Sequence, residues 1–67
     1  MKISARNQFR GAVTSVKLGE VMAEVVVTVG DLQIVSVVTR QSVEELGLEE
    51  GDEVTAIIKS TEVLLAT

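Results

Sequence analysis

Two polar segments near the ends of the chain carry the side chains best suited to hold an oxyanion. The N-terminal polar segment (residues 4–7) reads Ser-Ala-Arg-Asn, and the C-terminal polar segment (residues 59–61) reads Lys-Ser-Thr. They offer hydroxyl, amide and cationic donors and contain no carboxylate. Because an oxyanion is negatively charged and accepts hydrogen bonds, this set of donors predicts an anion site wherever the fold brings both segments together.

A third group of donors lies in the middle of the chain. Ser42 opens a short helical pattern, and Thr39 lies three residues before it. The free N–H groups and the dipole at a helix N-terminus favour an anion. Each residue also has a simpler interpretation, in which Ser42 only caps the helix, Thr39 only ends a strand, and Arg6 and Lys59 are solvated charges.

The composition argues against catalysis and against a bound cation. The chain contains no histidine and no cysteine, so the usual acid–base catalyst and the soft-metal ligands are missing. Lys59 and Ser60 are neighbours on a predicted strand end, where adjacent side chains point to opposite faces, so they form a poor nucleophilic pair. The carboxylates also lack the spacing of a calcium loop. We therefore predict a protein that is not an enzyme and holds no free metal cation and no cofactor.

The charge and the apolar pattern limit the partners. Six Lys and Arg residues against ten Asp and Glu give a net charge of −4, and one Phe is the single aromatic residue. A nucleic-acid binder needs a basic face or stacking aromatics, so no nucleic-acid partner is predicted. The apolar runs are too short to cross a bilayer and no signal pattern opens the chain, which predicts a cytoplasmic protein without a membrane partner.

The rest of the sequence is typical of β-structure. Apolar-rich stretches between turn residues predict strands over residues 9–16, 21–29, 32–39, 54–58 and 62–66, and residues 21–29 alternate cleanly between apolar and other positions. A hairpin turn is expected at Gly30-Asp31, and a helix over residues 42–47 with Ser42 and Glu45 as a capping box and Gly47 at its end. These elements predict one domain, residues 1–67, that is mainly β: a small five-stranded OB-like Greek-key barrel with one short helix.

The chain is rich in hydrophobic residues for its length and has no covalent cross-link to stabilise a monomer. Hydrophobic residues make up 46% of the 67 residues, and no disulfide is possible. The stretch 32–39 is apolar on both faces, which indicates burial from two sides. Small domains without a staple usually complete their core by oligomerising, so we expect association of several copies.

Three spaced motifs give the chain a family resemblance: SARNQ at residues 4–8, SVEELGL at 42–48 and TAIIKSTEV at 55–63. Together they resemble the Mop family of molybdate-binding proteins, the molbindins, whose module is also called the TOBE or Mop-type OB domain. The resemblance covers nearly the whole chain. A chain of one module is similar to the free-standing storage type rather than to the transporters and regulators that carry further domains.

The resemblance implies a cytoplasmic homohexamer, a trimer of dimers, that binds molybdate or tungstate between subunits for storage or homeostasis. It implies oxyanion contacts from one chain and from its neighbour. The implied residues are Ser4, Arg6, Lys59 and Ser60 from one chain, Thr39 and Ser42 from the other, and Ala5 and Asn7 through their backbone or by positioning. The alternatives are a structural or interaction barrel without a ligand and, more weakly supported, an OB-type nucleic-acid binder.

Overall fold

A single antiparallel sheet of four strands forms the fold in the computed structural model, which describes residues 2–67. The strands lie in the order β3-β2-β1-β4. The elements are β1 (Asn7–Leu18), β2 (Met22–Val29), β3 (Leu32–Thr39), helix α1 (Arg40–Leu46), β4 (Glu53–Ile58) and a 3-10 turn (Ser60–Glu62). The mainly β class with one short helix is thus confirmed.

The core lies on one face of the sheet, as the alternation of β2 requires. Ala23, Val25 and Val27 are buried, and the residues between them are more exposed. Val13 of β1 and Val43 of α1 complete the buried cluster. Successive strand side chains point to opposite faces, so the period-2 pattern of β2 directs its valines to the inner face.

β1 is long and joins two different partners. Its first half, from Asn7 to Ala12, pairs with β4, and its second half, from Ala12 to Leu18, pairs with β2. A bulge between Val13 and Ser15 shifts the register near the changeover and increases the local twist. Near the changeover, a Cβ atom on Gly11 would overlap the carbonyl oxygen of Thr28, so this close approach requires glycine.

The β2–β3 hairpin forms at the predicted residues. Val29 pairs with Leu32, which leaves Gly30 and Asp31 as the two-residue loop. Gly30 has φ +57°, and within residues 2–67 no residue other than glycine has a positive φ. The order Gly-Asp therefore matches a type II′ turn, which needs a positive φ only at its first central residue.

The helix begins earlier than predicted, and its cap is a different residue. Thr39 is the N-cap, because its side chain accepts a hydrogen bond from the N–H of Ser42. The predicted capping box of Ser42 and Glu45 is therefore wrong: Ser42 lies at the third helical position. Gly47 ends the helix in the left-handed conformation, with φ +65°, as its sequence position predicted.

The predicted fifth strand at residues 62–66 is not present. The chain instead makes the 3-10 turn and continues without regular structure. The last backbone hydrogen bond recorded in this region runs from the Val63 N–H to the Ser60 carbonyl oxygen, at 3.4 Å. A β-strand needs a neighbouring strand for its backbone hydrogen bonds, and no other strand of the described chain pairs with this tail.

The sheet is open because β3 and β4 do not pair with each other. A cleft of about 630 Å³ separates them, and its lining includes Ile34 and Val38 of β3 and Val54 and Ile58 of β4. The outer side of β3 is apolar too: Val35 is 59% exposed and Val37 is 63% exposed. Both faces of β3 therefore carry apolar side chains, as its sequence predicted.

Candidate functional site

Strand pairing brings the two polar segments together. Asn7 is opposite Ile58 at the end of the β1–β4 pair, so the residues before Asn7 and after Ile58 leave the same end of the sheet. Between them lies a shallow depression of about 380 Å³. Its lining residues are Ile3, Ser4, Ala5, Ile57, Lys59, Ser60 and Thr61. Segments more than fifty residues apart in the sequence thus form one surface.

Two side-chain amides hold the walls of this depression. The Nδ2 atom of Asn7 donates to the carbonyl oxygen of Ile58 at 3.3 Å, which extends the β1–β4 pairing beyond the backbone ladder. The Nε2 atom of Gln8 donates to the carbonyl oxygen of Ala5 at 2.6 Å. These bonds connect each polar segment to the start of β1, so the segments keep a defined position relative to each other.

The C-terminal polar segment gains donors from its local conformation. Lys59 caps the 3-10 turn, and its carbonyl oxygen accepts from the Glu62 N–H at 2.9 Å. The first residues of such a turn have no partner within it for their N–H groups. Ser60 and Thr61 therefore offer backbone donors as well as hydroxyls at the rim of the depression.

The positive charges divide into paired and unpaired groups. Arg10 pairs with Glu53, and the Arg40 Nε lies 2.8 Å from Glu44 Oε1. The hydrogen bond from Arg10 holds the pKa of the Glu53 carboxyl below its usual value. Within residues 2–67, neither Arg6 nor Lys59 takes part in an ion pair. These two cations are consequently available to an anion.

Thr39 and Ser42 lie elsewhere in the chain. Thr39 pairs with Met22, next to the end of β1 at Leu18, whereas the depression lies at the Asn7 end. Neither Thr39 nor Ser42 lines the depression. Of the predicted site residues, one chain brings together Ser4, Ala5, Lys59 and Ser60, with Arg6 and Asn7 directly beside them, and leaves Thr39 and Ser42 apart.

The two hydroxyls of this second group bond to each other. Thr39 Oγ1 and Ser42 Oγ are 2.7 Å apart, and Thr39 Oγ1 also accepts from the Ser42 N–H at 3.0 Å. Whichever hydroxyl donates, the contact uses one of the two hydroxyl protons. The other O–H remains able to donate outward, so the pair can contribute at least one hydrogen bond to an anion.

The cap at Thr39 makes a stability difference measurable. Thr39→Ala should lower the free energy of unfolding of the anion-free protein by about 1 kcal/mol, because it removes the N-cap acceptor. Ser42→Ala should change it by less than about 0.5 kcal/mol, because the exposed hydroxyl caps no helix. Urea denaturation followed by circular dichroism measures both. Equal decreases in the free energy of unfolding of the two variants would contradict the assignment of Thr39 as the stabilising N-cap.

Sequence reasoning missed three residues that line the depression and one, Gln8, that bonds to its wall. Thr61 belongs to the C-terminal polar segment but was not assigned a contact, and Gln8 lies just beyond the N-terminal polar segment. Ile3 and Ile57 form the apolar part of the lining. Membership of the SARNQ and KST motifs was an available signal for Gln8 and Thr61, whereas nothing in the sequence singles out Ile3 or Ile57.

The described part of the chain lacks the features of two other kinds of site. Over residues 2–67 there is no group of three or more His, Cys, Asp or Glu side chains able to hold a metal ion. In the same range, no helix has both the length and the apolar character needed to cross a membrane.

The chain is similar to known proteins along nearly its whole length. Residues 3–65 match the TOBE domain. The chain is 52% identical over 66 residues to molybdenum-pterin-binding protein 1 of Clostridium pasteurianum, and the match covers 97% of each chain.

Two solved structures share the fold. A molybdate-binding protein from Sporomusa ovata superimposes with a TM-score of 0.94, at 39% identity and with 100% of both chains covered. The cytoplasmic molybdate-binding protein ModG, solved with molybdate bound, gives a TM-score of 0.85 at 39% identity. That match covers 90% of this chain and 43% of the ModG chain.

Proposed function

Because the chain belongs to the TOBE domain family, and within it to the Mop-type molybdenum-pterin-binding proteins, we propose that it binds molybdate in the depression between its two polar segments. The observation that carries this proposal is the convergence of Ser4 and Ala5 with Lys59, Ser60 and Thr61 around one concave surface. The relatives named for molybdate binding support the choice of this ligand.

The chemistry of the lining suits molybdate. At neutral pH molybdate is a dianion without a proton, so each of its oxygens only accepts hydrogen bonds. The depression offers hydroxyls, backbone N–H groups and a lysine, and among residues 2–67 no carboxylate lines it. Tungstate has the same charge and nearly the same size, so we propose that it binds as well, and that no resident cofactor or catalytic step is involved.

We further propose that the site lies between subunits. A tetrahedral oxyanion accepts more hydrogen bonds than one shallow depression supplies. Thr39 and Ser42 offer at least one outward O–H but lie at the other end of the sheet, so they can complete the depression only from a second copy. In this arrangement Ser4, Arg6, Lys59 and Ser60 contact the anion from one chain, and Ala5 and Asn7 position them.

The apolar surface of the chain supports this association. The cleft between β3 and β4, the outer side of β3 and the tail all leave apolar side chains uncovered. Solvent exposure of so much aliphatic surface is unfavourable, and a second copy offers the matching surface. We propose a homohexamer, a trimer of dimers, in which residues 1–67 act as one Mop module. We also propose a cytoplasmic storage role, in keeping with the cytoplasmic ModG.

A titration tests the proposed ligand directly. Molybdate added to the purified protein should give a saturable heat signal and a higher unfolding temperature, since a ligand that binds only the folded state stabilises it. Phosphate should compete poorly, because hydrogen phosphate carries a proton that needs an acceptor, and leaving it unpaired costs about 1–3 kcal/mol. Calorimetric titrations with molybdate, tungstate, sulfate and phosphate measure this order. Equal competition by phosphate would contradict the donor-only site.

The same titration separates the alternative function. A structural or interaction barrel without a ligand would use the two polar segments only to fix strand ends. It would then show neither heat nor thermal stabilisation with any of the four oxyanions.

A further inference from the structure

Gln8 lies outside both polar segments, yet its side chain contacts the first of them. Its Nε2 donates to the Ala5 carbonyl oxygen at 2.6 Å, across three residues. Gln8 itself is exposed at the start of β1, and Ala5 lines the depression. The bond therefore fixes the direction of a peptide group in the wall of the proposed anion site.

The geometry of that peptide group has a consequence for its other end. A trans peptide is planar, and its C=O and N–H point in opposite directions. The peptide group joining Ala5 to Arg6 has its C=O held by Gln8, so its N–H, which belongs to Arg6, points away from Gln8. Among residues 2–67, no turn or loop hydrogen bond uses this N–H. It is a donor without a protein partner in the described chain, and it belongs to the residue directly after the lining residue Ala5.

The opposite wall has the same arrangement. Asn7 holds the carbonyl oxygen of Ile58, so the N–H of Lys59 in the same peptide group points the other way. Each side-chain amide thus engages one carbonyl oxygen and orients one backbone N–H. A carbonyl oxygen facing the site would repel an oxyanion, whereas an N–H would bind it, so the direction of each peptide group decides which end the anion meets.

We propose that Gln8 is a positioning residue for oxyanion binding. By holding the Ala5 carbonyl, it directs the Arg6 N–H toward the anion and keeps a carbonyl oxygen away from it. This inference rests on the proposed molybdate function of the same site. It assigns Gln8 a role in affinity although its side chain does not line the depression.

The test removes the amide donor and keeps the length of the side chain. Gln8→Met should weaken molybdate binding by about three- to tenfold, the range expected when one hydrogen bond is lost. Gln8→Glu should weaken it further, because the carboxylate cannot donate to the Ala5 oxygen and adds negative charge. Thr14→Val is the control, since Thr14 also makes an exposed side-chain hydrogen bond to a backbone carbonyl but does not line the depression, and this variant should bind like the parent protein.

A spectroscopic measurement separates positioning from a general structural effect. In the 15N-labelled parent, molybdate should shift the amide resonance of Arg6, and in Gln8→Met at saturating molybdate this shift should be reduced. Unchanged affinity in Gln8→Met and Gln8→Glu would overturn the inference and leave the proposed function standing. Weaker binding with an unchanged Arg6 shift would overturn it too. A parent protein that binds no molybdate would instead overturn the proposed function, and this inference with it.

Discussion

Replacing Arg6 or Lys59 with alanine is expected to weaken molybdate binding at least tenfold while the oligomer persists. These are the two cations beside the depression that make no ion pair within residues 2–67. A dianion bound in a protein of net charge −4 depends on them for compensation. Removing one partner of a desolvated charge pair costs on the order of 2–5 kcal/mol, which exceeds the 1.4 kcal/mol equivalent to a tenfold loss.

The control for this prediction is Arg10→Ala. It makes the same change in net charge as Arg6→Ala, but the Arg10 guanidinium is already paired with Glu53 on the strands. Arg10→Ala should therefore retain most of the molybdate affinity. Calorimetry gives the affinities, and sedimentation velocity gives the oligomeric state. If Arg6→Ala and Lys59→Ala both bound molybdate like the parent protein, the site would have to be placed elsewhere, even though the family assignment would stand.

A second large effect is expected from the tail. Replacing Leu64 and Leu65 together with aspartate should break the oligomer into smaller, less stable species. In the single chain these side chains are 92% and 93% exposed, so they contribute nothing to its own core. Fully burying a leucine is worth roughly 1.5–3 kcal/mol, and placing a carboxylate in the same interface adds a desolvation penalty.

A control for the tail is Thr67→Asp, which adds one of the two negative charges that the double variant introduces and removes no apolar side chain. Sedimentation at micromolar concentration distinguishes the outcomes. A parent that sediments as a folded monomer near 7.1 kDa would refute oligomerisation. A double variant that assembles like the parent would show that the tail leucines stay in water in the oligomer.

Local patterns predicted the elements whose physics is local. The alternation of Ala23, Val25 and Val27 identified the buried face of β2, because successive side chains of a strand point to opposite faces of the sheet. Gly30 and Gly47 marked a turn and a helix end, since both need a positive φ. The meeting of the two polar segments was predicted from the resemblance and from donor chemistry, and the pairing of Asn7 with Ile58 accounts for it.

The misses have physical causes of their own. Thr39 and Ser42 are three residues apart, and both residue types are common helix N-caps. Thr39 is the cap because, at the end of β3, its side-chain oxygen accepts a hydrogen bond from the Ser42 N–H. The residues of the expected fifth strand are apolar from Val63 to Ala66, but a strand also needs a neighbouring strand to pair with, and the single chain offers none to this tail. The hydrogen bond from Gln8 to the Ala5 carbonyl oxygen depends on the backbone conformation between these residues, which the sequence pattern does not predict.

The N-terminal end of the described chain lies beside the depression, since Ile3 lines it. This has a practical consequence for protein production. An N-terminal polyhistidine tag would place many imidazoles next to a site that selects anions, and imidazoles gain positive charge as the pH falls toward about 6.5. Such a tag would attract oxyanions by itself and add an artificial pH dependence. Binding measurements on this protein therefore call for untagged material, or for a tag removed by a protease.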